Sequence, residues 1–93
     1  MSIRDALTLK EKACTLKDGT AFTLRRPTAL DMIDAVEFSA ASPERINAWL
    51  VLTHLIEHGA PVFTTIEQAL VADGNTVMQI SAAAEALYSE GRD

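Results

Sequence analysis

Residues 12–26, KACTLKDGTAFTLRR, alternate apolar and polar side chains on either side of Asp18-Gly19, which predicts a β-hairpin. A two-residue loop would put Leu16 on the opposite face from Phe22 and Leu24. A three-residue loop, Lys17-Asp18-Gly19, pairs Leu16 with Thr20 and Cys14 with Phe22, so Cys14, Leu16, Phe22 and Leu24 share one face. A small domain needs one buried face, so the longer loop is expected, with Gly19 left-handed in a bulge. Ala6–Leu9 is either a further short strand or an arm.

After Pro27 the period changes to that of a helix. Thr28 and Asp31 form a capping box that opens a helix over 29–41. Its expected inner stripe is Ala29, Met32, Ile33, Val36 and Ala40, with Asp31, Asp34 and Glu37 outside and Phe38 among them. Ser42-Pro43 starts a second helix, 43–58, closed by Gly59 and apolar around most of its circumference, as befits a central helix. Asn47, His54 and His58 form its narrow polar stripe. Residues 59–62 read as a turn or extended link. The capping box Thr64-Thr65-Ile66-Glu67 opens a short helix over 65–71, and Asp73 caps a last one over 75–90. That helix buries Val77, Ile80, Ala84, Leu87 and Tyr88 and presents Met78, Ala82 and Ala86 on its other side. The fold class is therefore α+β: residues 1–93 form a single domain, an N-terminal β-hairpin packed on a bundle of three to four helices.

Ninety-three residues suffice for one modest core. No apolar run is long enough for a membrane span, the N-terminus lacks a secretion-signal pattern, and the lone Cys14 allows no internal disulfide. These features fit a cytoplasmic protein with no membrane partner. The net charge of −5 is unevenly spread: six bases face three acids through residue 26, and two face ten beyond it. The basic front, with Arg25 and Arg26 at a strand end, could meet an acidic partner or a phosphate. The acidic remainder disfavours nucleic acid. A basic-hairpin nucleic-acid-binding module is therefore the first alternative function.

His54 to His58, HLIEH, matches the inverted zinc-protease signature. A zinc hydrolase built on His54, Glu57 and His58 is a second alternative, and a weaker one. A catalytic zinc needs three protein ligands, and the third would have to come from Glu67, Asp73, Glu85 or Glu90. Histidine in a helix's last turn is also favoured by the helix dipole alone. Cys14 reads as a buried thiol and Asp31, Asp34 and Glu37 as solvated acids. Neither a phosphate-binding loop nor a dinucleotide fingerprint is present. No catalytic residue, cofactor or metal is expected. The candidate partner-binding residues are Arg25, Arg26, Phe38, Met78, Ala82 and Ala86.

Leu16, Asp18, Gly19, Thr23, Leu24, Arg25, Pro27, Thr28 and Asp31 follow the pattern L.DG…TLR.PT..D, an extended pair leading into a helix. In this the chain resembles the small tail assembly chaperones of tailed bacteriophages, particularly the Mu-like prophage group. The specific letters lie within 16–31; the organisation extends over about 10–72. The resemblance implies a non-enzymatic protein of the bacterial host cytoplasm that binds a tape-measure-like tail protein before the tube polymerises around it. The polarity of charge adds an expectation of self-association, the hairpin of one copy meeting the helices of the next.

Overall fold

The structure is a computed structural model that describes residues 2–38 and 42–89. In chain order its elements are α1 (Ile3–Leu7), β1 (Glu11–Thr15), β2 (Ala21–Arg25), α2 (Ala29–Phe38), α3 (Pro43–His54), β3 (Leu55–Glu57), β4 (Ala60–Pro61), α4 (Ile66–Leu70) and α5 (Gly74–Ser89). The fold is α+β. An antiparallel sheet of order β1-β2-β3-β4 packs with helices around one core.

The hairpin has the expected register. Cys14 opposes Phe22, the Leu16 amide donates to the Thr20 carbonyl at 2.8 Å, and Gly19 has φ +92°. Asp18 Oδ1 accepts from the Thr20 amide at 2.8 Å, which fixes the loop locally. Leu24 is fully buried, and Cys14, Leu16 and Phe22 pack beside it. The hairpin tip is docked on α5 by the Lys17 amide, which donates to Gln79 Oε1 at 2.8 Å.

The caps also form. Thr28 and Asp31 exchange hydrogen bonds of 2.8 and 3.0 Å, and the Ser42 hydroxyl accepts from the Arg45 amide with Pro43 in the first turn. Asp73 Oδ2 accepts from the amide and hydroxyl of Thr76. The α4 box is one residue later than expected, with Thr65 as cap and Gln68 reaching back. Ala6–Leu9 forms no strand: Ala6 and Leu7 end the short helix α1, which a Ser2–Asp5 capping box starts, and the segment stays as an exposed arm. The expected ends of the 29–41 helix and of the 75–90 helix lie outside the described residues.

Two expectations are corrected. The central helix stops at His54, not at 58. The chain then turns extended, and Leu55 and Ile56 pair with Leu24 and Thr23 of β2. His58 and Gly59, with φ of +53° and +79°, make a two-residue turn into β4. With Leu24 alongside, the extended form buries Leu55 and Ile56 and also pairs the β2 backbone, which one more helical turn would leave without these partners.

The second correction concerns α2, which is rotated by half a turn from the expected orientation. Asp31 is buried and Asp34, Ala35 and Phe38 are half-buried. The apolar stripe faces solvent instead: Leu30 is 64% exposed, Met32 48%, Ile33 59% and Val36 73%. Asp31 is drawn inward by an ion pair, and Phe38 stacks on Trp49 with ring centroids 5.1 Å apart. Phe38 therefore belongs to the core rather than to the outer face. The core itself is Leu24, Trp49, Leu50, Val51, Leu55, Ile80, Ala84 and Leu87. No helix among the described residues is long and apolar enough to cross a membrane.

A Cβ at Gly19 would meet no atom within 4 Å, so substitution there is opposed only by the backbone. Gly19→Ala is expected to lower unfolding free energy by about 1 kcal/mol through its positive φ. Urea denaturation measures this, and an unchanged midpoint would contradict the left-handed bulge.

Candidate functional site

The densest polar chemistry among the described residues is a buried network where β2, α2, α3 and α5 meet. The capping box turns α2 so that Asp31 looks back at the strand that precedes it. Arg25, at the end of β2, donates from Nη1 to Asp31 Oδ2 at 2.8 Å and to its neighbour Arg26's carbonyl at 3.3 Å. From Nη2 it donates to the Thr53 carbonyl at 2.8 Å. It thus holds the first turn of α2 and one of the terminal carbonyls that α3 cannot satisfy itself.

His54 follows Thr53 and is fully buried. Its Nδ1 lies 2.7 Å from the Arg25 carbonyl, which can only accept, so Nδ1 carries the proton. Nε2 is then the acceptor for the Tyr88 hydroxyl at 2.5 Å. The two rings meet edge to face, and Trp49 closes over them at 6.3 and 6.4 Å.

The environment sets the charge of each group. Burial holds the His54 imidazole below its ordinary pKa; the hydrogen bond to the Arg25 carbonyl and the Asp31 charge oppose this without reversing it. Burial alone would raise the Asp31 carboxyl. Hydrogen bonds from Arg25 and Thr28 and the guanidinium charge outweigh that and hold it below the usual value. Burial, and then the Asp31 charge, push the Tyr88 phenol well upward. The network at neutral pH is therefore an ion pair, a neutral imidazole and a neutral phenol. Every buried side-chain nitrogen or oxygen among the described residues has a partner.

The sequence candidates fall into three groups. Arg25 is turned inward, half-buried, and engaged by Asp31 and Thr53 rather than presented to a partner. Arg26 is half-buried and its amide closes onto the Lys10 carbonyl at 2.9 Å. Phe38 is packed on Trp49. Met78, at 56% exposure, lies with exposed Ala82 and Ala86 on the outer side of α5. HLIEH is not assembled: His54 is inside the core, and His58, with a side chain 92% exposed, sits beyond an intervening strand. Among the described residues no group of three or more His, Cys, Asp or Glu could hold a metal ion. The sequence reading missed the network itself. Its one legible signal was an arginine six residues before an acidic helix-capping position.

Beside Met78 lies a shallow groove of about 160 Å³ between α3, α4 and α5. Ala48, Ala69, Leu70, Ala72 and Val77 make it apolar, and Glu44 and Asn47 edge it. Asn47 Nδ2 lies 3.1 Å from Met78 Sδ, which steadies the flexible methionine at the rim.

Two outcomes follow from the network. A folded-state pKa held below the unfolded value makes His54 neutral in the native protein while the unfolded chain takes a proton. Stability is then full above about pH 6.5 and declines as pH falls below it. Urea midpoints measured from about pH 7.5 to 5.5 should fall, and the His54 ring should titrate below 6.5 by NMR. Tyr88→Phe strands the Nε2 lone pair and should cost about 1–3 kcal/mol. Excess zinc should leave the thermal midpoint unchanged, since that lone pair is directed at Tyr88; a stoichiometric zinc-dependent rise would restore the metal reading.

Comparison of the chain with protein-family models, with curated proteins and with solved structures finds no match in any of the three.

Proposed function

We propose that this protein is a non-enzymatic tail assembly chaperone of phage or prophage origin, acting in the bacterial cytoplasm by binding a helical, tape-measure-like protein. The observation that carries the reading is the apolar groove lined by Leu70, Val77 and Met78, with Met78 also bordering a second cleft that Ala82 lines and Ala86 exposed further along α5. Small residues let a client helix approach closely, and methionine adapts to successive apolar side chains along a long client. The acidic remainder of the chain keeps the complex soluble.

The residues that carry the family resemblance support the reading in a second way. Asp18 and Gly19 make the bulged loop, Leu24 anchors the core, and Arg25, Thr28 and Asp31 form one hydrogen-bonded unit. The letters thus act together as one device that joins a hairpin to a helix. The network's histidine, carboxylate and phenol are each engaged within the fold, which favours binding over chemistry.

The test is co-expression with the long, helix-rich product of a neighbouring tail gene, followed by titration of purified client segments. Met78→Glu and Ala82→Glu should each weaken binding about 10- to 100-fold, the range of a lost interface anchor, with unchanged circular dichroism. Full-strength binding by both folded variants would remove the groove from the site. Turnover of a small compound, abolished by one substitution that leaves the fold intact, would overturn the reading as a whole.

A further inference from the structure

The α2 stripe and the N-terminal arm pose the same problem from opposite sides. Leu30, Met32 and Ile33 are large apolar side chains displayed on α2. The arm carries Ile3, 77% exposed, and Leu7, 79% exposed, one helical turn apart on the same side of α1. No residue of α1 is buried. A helix of five residues is far below the length that persists in water without a packing partner, so α1 calls for a surface to lie on.

From this we infer that two copies of the chain associate by exchanging N-terminal arms, the Ile3–Leu7 face of each lying on the Leu30–Ile33 face of α2 in the other. Charge complements the apolar match: Arg4 and Lys10 flank the arm's apolar residues, with Asp5 engaged in the α1 cap, and the exposed side of α2 offers Glu37 with no base of its own. The root of the arm is suitably placed. The Arg26 amide donates to the Lys10 carbonyl, so the arm leaves the body just before the first turn of α2. Arm root and receiving helix therefore lie together on one side of the molecule. A two-fold axis there forms both contacts at once, each copy giving and receiving the same surface. The contact is small, so the dimer belongs with the weak interfaces of under about 1,200 Å².

This association leaves the Met78 groove untouched and needs no client, so it stands or falls separately from the proposed function. The experiment is sedimentation of the 93-residue protein over a wide concentration range, with Leu7→Asp as the arm variant and Ile33→Asp as the face variant. Both positions are exposed, so both variants should keep the wild-type circular dichroism. Wild type should shift from monomer to dimer with rising concentration, and each variant alone should remain monomeric. An equimolar mixture of the two variants should dimerise again, with at least tenfold weaker affinity than wild type. One intact arm and one intact face survive in that pair. A wild type that stays monomeric throughout, as an arm folded onto its own α2 would give, overturns the inference. So do variants that dimerise as wild type does, or a mixture that fails to associate.

Discussion

The guanidinium of Arg25 is the point on which the arrangement of this protein turns. It is held at the end of β2, where the hairpin leaves it half-buried, and it meets two separate helix ends, the Asp31 carboxylate of α2 and the Thr53 carbonyl of α3. The carbonyl of the same residue orients His54, which in turn accepts from Tyr88 on α5. Four elements are thereby fixed to one another through one side chain and its own backbone. A partly buried ion pair is costly to break, because the surviving charge has no water to replace its partner. Here the desolvation is offset by hydrogen bonds from both the guanidinium and the Thr28 amide.

That constraint explains the orientation of α2. Hydrophobic burial alone favours turning Ala29, Met32, Ile33 and Val36 to the core. Two strong contacts, Asp31 with Arg25 and Phe38 with Trp49, sit seven residues apart on the opposite side and win. The cost is a helix that shows its apolar stripe to solvent. Such a surface, the Met78 groove and the exposed arm helix are the apolar faces that the described residues present on the outside. The proposed binding role rests on those surfaces.

HLIEH illustrates how a short motif depends on the element that carries it. On one helix, histidines four apart can share an ion. Here the backbone leaves the helix at His54 to pair with β2, and the intervening Leu55 and Ile56 are buried in the sheet. The two histidines acquire unrelated roles. One is a neutral link inside the core, and the other is an exposed turn residue with positive φ.

The amino-acid sequence by itself determined what is local. The hairpin register was legible because only one loop length places Cys14, Leu16, Phe22 and Leu24 on one side, and the Thr28–Asp31, Ser42 and Asp73 caps were legible because a side chain reaches a backbone amide within one turn. The buried side of α5 was largely readable for a similar reason, since Ile80, Ala84 and Leu87 recur at helical spacing; Ser81, which is buried with them, satisfies its hydroxyl locally on the Met78 carbonyl. What tertiary structure alone decided lies where distant groups compete. Leu55 and Ile56 became strand because β2, thirty residues earlier in the chain, offered an unpaired edge. α2 turned over because Arg25 and Trp49 reward Asp31 and Phe38 across the fold. Helical periodicity counts apolar side chains along one element. It carries no information about a guanidinium or an indole waiting on another, and those partners exist only once the chain is folded.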